Sequence, residues 1–180
     1  MNSLILIGYR GTGKTTIARK LGERLQIPVI DSDWEIERRS GKSIADIFAQ
    51  DGEKIFRDWE ESAIVEILQQ NHLNSFVLAT GGGVILRPET RYRLKNAGHV
   101  VWLTAKPETI LRRIQGDPAS ATMRPNLTSL ARLDEIVNLL EKRNPLYAET
   151  AHEIIDTDFL KTDEITDKII AHLLPEQRIG

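Results

Sequence analysis

Short apolar runs alternate along the chain with longer stretches in which apolar residues recur every three or four positions. The short runs predict β-strands at Leu4–Ile7, Pro28–Asp31, Phe76–Ala79, Val100–Leu103 and Glu153–Ile155. The longer stretches predict helices that begin at Lys14, span Asp58–Gln70 and Ser129–Tyr147, and begin again with Thr162 as N-cap. Alternation of strands and helices is typical of βαβ units. The pattern therefore predicts an α/β fold, a three-layer sandwich around a central parallel sheet of about five strands.

The composition narrows the class of protein. The chain has 180 residues, of which 41% are hydrophobic and 28% charged, so we expect a single domain, 1–180, with a substantial hydrophobic core. A net charge of −2 gives no global electrostatic argument for nucleic acid or a membrane as partner. No apolar run approaches about 20 residues and the start lacks the features of a secretory signal, which predicts a cytoplasmic protein. The absence of cysteine fits a reducing compartment, and this size and charge predict a monomer.

A glycine-rich segment links the first predicted strand to the first predicted helix, with the sequence Gly8-Tyr9-Arg10-Gly11-Thr12-Gly13-Lys14-Thr15. It matches the phosphate-binding pattern G-x-x-x-x-G-K-[ST] at every fixed position. In this pattern backbone N–H groups surround a polyphosphate, the lysine reaches the β- and γ-phosphates, and the hydroxyl that follows ligates Mg²⁺. A glycine-rich turn with a chance lysine is the alternative, but the full match favours a nucleoside triphosphate site. Its candidate residues are Gly11, Thr12, Gly13, Lys14, Thr15 and Thr16.

Two carboxylates, Asp31 and Asp33, stand at the end of the second predicted strand. We expect them near the phosphate loop, because ligands in open α/β sheets bind at the carboxyl edge of the strands. Alternate residues of an extended chain point to the same side. Asp31 is therefore assigned to the metal through water, and Asp33 to the proton of an acceptor hydroxyl. The alternative is that this Asp-Ser-Asp segment only caps the following helix.

The segment Gly116–Leu127 lacks apolar periodicity and contains two prolines. Arg112 and Arg113 precede it, and Arg124 lies near its end. A loop of this kind with arginines at both ends, in a nucleotide-binding fold, suggests a lid that closes over phosphates. A plain surface loop is the alternative, although long structureless loops without a function are uncommon.

Three further segments carry arginines or glycines. Arg57 follows an aromatic residue and precedes Glu60 by three positions, a spacing that an ordinary surface ion pair on a helix also gives. The glycines Gly81–Gly83 follow the third predicted strand, where they expose backbone N–H groups and admit a ligand against the main chain. Arg143 is expected near a helix end, before a proline that bends the chain.

The order of these motifs resembles the shikimate kinase family: phosphate loop, Asp-x-Asp, Gly-Glu-x-x-Phe-Arg-x-x-Glu, Gly-Gly-Gly, Arg-Pro and Arg-x-Pro-Leu-Tyr. The resemblance covers essentially the whole chain. It implies a P-loop kinase fold of the nucleoside monophosphate kinase type, with the acceptor-binding region at about 32–60 and the lid at about 113–127. It also implies transfer of the γ-phosphoryl group of ATP to the 3-hydroxyl of shikimate, on the route to chorismate and the aromatic amino acids.

For the nucleotide, the resemblance implies that Lys14 and Thr15 keep their phosphate and Mg²⁺ roles and that Asp31 meets the metal through water. The residue matching Arg124 reaches the phosphates from the lid. The residue matching Arg113 lies against adenine, although Arg112 beside it is an alternative.

For the acceptor, the resemblance implies that Asp33 binds substrate hydroxyls and is the candidate base. Arg57 and Arg143 grip the shikimate carboxylate, and Glu60 orients Arg57. The remaining implied substrate contacts are the rings of Phe48 and Phe56 and the backbone of Gly81, Gly82 and Gly83.

Two alternative functions remain open. A gluconate-type or nucleoside monophosphate kinase keeps a phosphate loop and a lid, but does not need two arginines beside a triple glycine. A non-catalytic nucleotide-binding module binds ATP without turnover.

Trp34 lies beside Asp33 in the sequence. It either forms a wall of the acceptor pocket or packs within its helix, and the second is favoured.

Overall fold

The computed structural model describes residues 3–72, 74–116 and 129–173. Within them the strands are β1 Ser3–Ile7, β2 Val29–Asp31, β3 Val77–Ala79, β4 Gly98–Thr104 and β5 Glu153–Asp156. The helices are α1 Lys14–Leu25, α2 Ser32–Ser40, α3 Ile44–Gln50, α4 Gly52–Gln70, α5 Pro88–Ala97, α6 Pro107–Gln115, α7 Ser129–Thr150 and α8 Thr162–Leu173, with a 3-10 helix at Val84–Leu86. All five predicted strands are confirmed, with ends that differ by at most two residues.

The strands form one sheet in the order β2-β3-β1-β4-β5, and every neighbouring pair is parallel. The register places Leu6 of β1 beside Ala79 of β3, and Ala79 beside Asp31 of β2. Because the strands run in the same direction, the segments that follow β1, β2 and β3 all leave the sheet at one edge. This edge therefore carries the phosphate loop, the Asp-Ser-Asp segment and the triple glycine.

The central strand β1 is buried along its whole length, as its uninterrupted apolar sequence predicts. Leu4 and Leu6 pack in one core cluster with residues of α1 and α8, whereas Ile5 and Ile7 pack in another with residues of α4, α5 and α7. Helices therefore cover both faces of the sheet, and the predicted three-layer α/β sandwich is confirmed. A smaller cluster joins α2, α3 and α4, the region expected to bind the acceptor.

Several helices differ from the prediction. The apolar pattern does not predict α2, α3, α5 and α6, because these helices span at most ten residues and carry few buried positions. Helix α4 begins at Gly52 rather than Asp58, and α7, which was predicted to end at Tyr147, contains Pro145 and continues to Thr150, seven residues beyond Arg143. The prediction that Arg143 lies near a helix end is therefore wrong. Packing of α7 against two core clusters stabilises the helix despite the backbone donor that proline removes.

The start of α8 also differs in detail. The helix begins at Thr162 itself, so Lys161 occupies the N-cap position that was predicted for Thr162. The Lys161 N–H donates to the Glu164 carboxylate at 2.6 Å, the backward half of a capping box.

Across the described parts of the chain, no helix combines the length and apolarity needed to cross a membrane.

Candidate active site

A cavity of about 620 Å³ opens at the carboxyl edge of the sheet. The phosphate loop, the Asp-Ser-Asp segment, the triple glycine and the chain after β5 all contribute to its wall. The lining residues are Arg10, Gly11, Thr12, Gly13, Lys14, Thr15, Thr16, Ile17, Asp31, Asp33, Thr80, Gly82, Arg113, Thr157, Leu160, Thr162 and Ile165. All six predicted triphosphate residues of the loop, Gly11–Thr16, thus face one cavity with both predicted carboxylates.

The phosphate loop has a backbone that glycine alone adopts readily. Gly11 and Gly13 have φ angles of +79° and +93°, and Gly13 is the N-cap of α1. A Cβ at Gly8 would overlap the Leu103 carbonyl of β4, so this glycine lets the loop begin directly against the sheet. The free N–H groups at the start of α1 therefore point to the cavity with the positive end of the helix dipole.

The side chain of Lys14 folds back over the phosphate loop. Its Nζ donates to Gly8 O at 2.8 Å and to Tyr9 O at 2.9 Å, and the residue is only 8% exposed. Burial lowers the pKa of Lys14 to about 8, although the carboxylates of Asp33 and Asp31 act in the opposite direction. A polyphosphate in the loop would supply the negative charge that favours the protonated amine.

Asp31 performs two structural tasks at the start of α2. Its Oδ1 accepts from Asp33 N at 3.0 Å and Trp34 N at 3.4 Å, and its Oδ2 accepts from Thr15 Oγ1 at 3.1 Å. The helix-cap interpretation of the Asp-Ser-Asp segment is therefore confirmed for Asp31. The expectation that both carboxylates share one side of an extended chain is wrong, because Asp33 lies in the first turn of α2.

The described residues contain no cluster of three or more metal-ligating side chains. They do fit a cation that takes most of its ligands from phosphates and water, as Mg²⁺ does at nucleotide sites. The Thr15 hydroxyl donates its proton to Asp31 and keeps an oxygen lone pair for a metal.

Asp33 is a candidate site residue with an unusual environment. Its Oδ1 is buried and has no hydrogen-bond partner among the described residues. Burial raises the pKa of Asp33 to about 7, and the negative charges of Asp31 and Glu60 act in the same direction, while Lys14 opposes them. A hydroxyl donor from a ligand would satisfy the buried oxygen and favour the ionised carboxylate.

The triple glycine brings the acidic and basic groups of the site together. A Cβ at Gly81 would lie 2.6 Å from Asp33 Oδ1 and 3.0 Å from Glu60 Oε1, and a Cβ at Gly83 would overlap the Arg57 guanidinium. These glycines are therefore needed for close approach, since neither has a positive φ angle. Ser32 Oγ accepts from Gly81 N at 3.0 Å and fixes the segment on α2. In this conformation the Gly81 N–H is therefore engaged by Ser32.

Arg57 and Glu60 form a buried pair, so the surface ion-pair interpretation is wrong. Their side chains are 12% and 5% exposed, and Arg57 Nη1 donates to Glu60 Oε2 at 2.7 Å. Burial raises the pKa of Glu60, although the positive charge of Arg57 lowers it. Arg57 Nε and Glu60 Oε1 are buried without partners among the described residues. The guanidinium carbon lies 5.0 Å from the centroid of the Phe56 ring, and the Phe48 ring packs against Phe56 with a tilt of 35° and a centroid distance of 4.5 Å.

Arg143 approaches the same glycines from α7, on the other side. Its Nη1 donates to Gly82 O at 3.3 Å, and its guanidinium carbon lies 5.7 Å from the centroid of the Tyr9 ring. Arg57 and Arg143 are thus brought together around Gly82 and Gly83. Neither arginine lines the cavity described above, and neither do Phe48 and Phe56. Arg143 instead contacts the carbonyl of Gly82, which does line the cavity.

Arg113 is fixed to the cavity wall. Its Nη1 donates to Thr157 Oγ1 at 2.9 Å and to Gly11 O at 3.3 Å, and its Nη2 donates to Thr157 O at 2.7 Å. Arg112 is exposed and does not line the cavity. Arg124 and the predicted lid residues from 117 onward lie outside the described residues.

Sequence reasoning missed the chain after β5, which supplies four cavity residues: Thr157, Leu160, Thr162 and Ile165. The available signal was positional, because this segment leaves the carboxyl end of a parallel strand.

The interpretation of Trp34 also needs correction. The residue is 61% exposed, which contradicts the favoured helix-packing interpretation, and it does not line the cavity either.

Comparison with known proteins agrees with this geometry. A family model described as Shikimate kinase matches residues 10–174. The shikimate kinase of Rhodopirellula baltica is 42% identical over 167 residues, covering 93% of this chain and 88% of that protein. The shikimate kinase of Syntrophus aciditrophicus is 43% identical over 176 residues, covering 93% and 89%. A solved structure of shikimate kinase from Acinetobacter baumannii in complex with shikimate has a TM-score of 0.87 at 35% identity, covering 99% and 96%. The chain thus belongs to the shikimate kinase family.

Proposed function

We propose that this site transfers the γ-phosphoryl group of ATP to the 3-hydroxyl of shikimate, giving shikimate 3-phosphate and ADP. One observation carries the assignment of the acceptor. Among the described residues, Asp33 Oδ1 and Glu60 Oε1 are buried without partners beside Gly81, and Arg57, whose guanidinium lies against Gly83, has a buried Nε without a partner. Buried polar groups are normally satisfied, so this cluster fits a ligand with both donors and acceptors. A small ring that carries a carboxylate and three hydroxyls meets that requirement.

Shikimate binding uses the two arginines. A planar guanidinium holds a carboxylate through paired, charge-assisted hydrogen bonds, and two of them fix the orientation of the ring. Arg57 is held by Glu60 and Arg143 by the Gly82 carbonyl, so both are preorganised for this contact. Asp33 then accepts hydrogen bonds from ring hydroxyls. The Phe56 ring supports Arg57, and Phe48 packs behind it.

ATP binding uses the phosphate loop and the cavity beyond it. The N–H groups at the start of α1 and the Lys14 amine hold the phosphates, and Lys14 exchanges its carbonyl partners for phosphate oxygens. The Thr15 hydroxyl would hold a Mg²⁺ ion, with Asp31 acting through water, and such an ion would supply positive charge to the phosphates. We assign the adenine contact to Arg113, since it lines the cavity and Arg112 does not.

The transfer step depends mainly on position and charge. Phosphoryl transfer passes through a loose transition state, so neutralising the phosphate oxygens matters more than a strong base. Lys14 neutralises charge from the loop, and Arg124 is assigned the same task from the lid. Asp33 orients the 3-hydroxyl, and a pKa near 7 also suits it to accept the proton late in the reaction.

The remaining assignments concern the whole chain. The described helices pack on one sheet either directly, as α1, α4, α5, α7 and α8 do, or in smaller clusters with those helices, which supports a single kinase domain over 1–180. We further propose that the protein acts as a cytoplasmic monomer on small molecules.

A coupled assay of ADP release with shikimate, gluconate and AMP tests the proposal. Shikimate should be turned over at least about 10³-fold more efficiently than either rival, since a site built to pair polar groups strongly rejects ligands that leave them unpaired. If ADP were released with gluconate or AMP but not with shikimate, the protein would be a kinase for that other acceptor. ATP binding without ADP release from any acceptor would support the non-catalytic module.

A further inference from the structure

Two buried tyrosines hold Arg143 from different sides. We propose that Tyr147 and Tyr9 are positioning residues that orient the Arg143 guanidinium toward the acceptor carboxylate. The inference rests on the proposed function, since it assumes that Arg143 binds this carboxylate. It adds two residues that neither the motif roles nor the cavity lining assigns to the reaction.

Tyr147 acts through the Gly82 carbonyl. It lies four residues after Arg143 on α7, so both side chains lie on one face of the helix. The Tyr147 hydroxyl donates to Gly82 O, the same oxygen that accepts from Arg143 Nη1 at 3.3 Å. Tyr147 is fully buried and stacks on Trp102 at 5.5 Å. Burial raises the pKa of Tyr147 above its usual range, so the hydroxyl remains a donor throughout the working pH range.

Tyr9 acts on the face of the guanidinium. It is a phosphate-loop residue, 4% exposed, whose ring packs with Ile110 of α6 and Ile136 of α7. The Arg143 guanidinium carbon lies 5.7 Å from the centroid of this ring, within the range of a cation–π contact. The phosphate loop thus contacts the arginine that serves the acceptor.

Together these contacts restrict Arg143 in two ways. The ring of Tyr9 lies against the guanidinium, and the carbonyl held by Tyr147 engages one of its two terminal nitrogens. Among the described residues, this leaves the N–H groups of the other terminal nitrogen for a carboxylate. Loss of either contact should therefore weaken the carboxylate contact without removing charge from the phosphates.

The experiment compares Tyr147→Phe with Tyr92→Phe, which removes the hydroxyl of a tyrosine that is 73% exposed on α5. Tyr147→Phe should raise the shikimate KM by about tenfold, the effect of one lost hydrogen bond in a charged network. Its ATP KM and kcat should stay within about twofold of the parent, because the phosphate contacts are separate. Tyr92→Phe should leave all three unchanged.

A second acceptor separates positioning from general damage to the fold. In the shikimate analogue whose carboxylate is reduced to a primary alcohol, Arg143 has no carboxylate to bind. Tyr147→Phe should therefore change the KM of this alcohol far less than that of shikimate. Equal changes for both acceptors, or a shikimate KM that matches Tyr92→Phe, would overturn the proposal for Tyr147.

Tyr9 supplies an independent test if Tyr147→Phe fails to fold. Tyr9→Leu removes the ring face, and Tyr9→Phe retains it, so the shikimate KM should be several-fold higher for Tyr9→Leu. Identical values would overturn the role of Tyr9. A parent enzyme that binds and turns over ATP with another acceptor but ignores shikimate would instead overturn the proposed function, and this inference with it.

Discussion

The nucleotide half and the acceptor half of the site are built in different ways. The nucleotide half consists mainly of one continuous loop and the helix it opens, 8–16, and its key contacts lie within six residues of one another. The acceptor half gathers Asp33 from α2, Arg57 and Glu60 from α4, the glycines after β3, and Arg143 from α7. A local motif thus binds phosphate, whereas the specificity for the acceptor depends on the whole fold.

This difference predicts separable defects. Changes in the loop should impair phosphoryl transfer and spare acceptor binding. Changes around the triple glycine should impair acceptor binding and spare ATP. The two halves meet at Gly82, where a Cβ would lie 3.2 Å from the backbone nitrogen of Arg10, and at the contact between Tyr9 and Arg143.

The largest effect is expected from Lys14→Ala. Loss of the amine removes a preorganised charge from the transferring phosphoryl group, so kcat should fall by about 10³-fold. Shikimate affinity, measured by calorimetry, should change by less than about twofold, because the lysine does not contact the acceptor arginines. Lys20→Ala on the exposed side of α1 is the matched control and should retain activity. Loss of shikimate binding together with turnover would show that the two halves are not separable.

A smaller effect, in the opposite half, is expected from Arg143→Lys. Lysine keeps the charge but cannot form the forked contact, so the shikimate KM should rise by about 10–100-fold. The ATP KM should remain within about twofold. Steady-state kinetics with each substrate varied in turn measure both KM values. The control is Arg93→Lys, which changes an exposed arginine on α5. A parallel change in both KM values would contradict the carboxylate assignment.

Gly83→Ala should produce a similar but weaker defect. The new Cβ would overlap the Arg57 guanidinium, a flexible side-chain end that can turn away and lose its ligand contact. The shikimate KM should rise by about tenfold. An unchanged KM in Gly83→Ala would place Arg57 outside the acceptor site.

The smallest effect concerns stability and pH. Between the ordinary Asp33 pKa of 3.8 and its raised folded pKa of about 7, the folded protein holds a proton that the unfolded chain has released. The contribution of Asp33 to stability therefore falls as pH rises through this window, by at most about 4 kcal/mol. Asp33→Asn should raise the Tm relative to the parent by about 5 °C at pH 8 and by less at pH 5.

Thermal unfolding across pH 5–8 measures this difference without substrate. Asp134→Asn, at an exposed position on α7, should show no such pH dependence. A Tm difference that is constant over the whole pH range would mean that Asp33 is already ionised in the folded protein below pH 5.

The difference between the nucleotide half and the acceptor half also determines which parts of the site can be predicted from the sequence. The strands and the phosphate loop follow from local patterns, since burial of β1 and the spacing of Gly8, Gly13 and Lys14 lie within one short segment. The role of Asp31 as a helix cap was an open alternative, because the same residue type caps helices and lies near metals.

The rest of the acceptor half required the fold. Nothing local indicates that the Arg57 and Glu60 side chains are largely buried, or that Tyr147 reaches Gly82, which is 65 residues away in sequence. The chain after β5 joins the cavity only through the order of the sheet. The motif resemblance pointed to several of these residues and to the pairing of Glu60 with Arg57, but not to the contacts of Tyr147 or Arg143 with Gly82.

The most direct test of the two-part site is a solved complex with ADP and shikimate. The account predicts that the shikimate carboxylate lies between Arg57 and Arg143, with oxygen–nitrogen distances of about 2.7–2.9 Å to both guanidinium groups. A complex in which either guanidinium faces solvent while the carboxylate is bound elsewhere would contradict it.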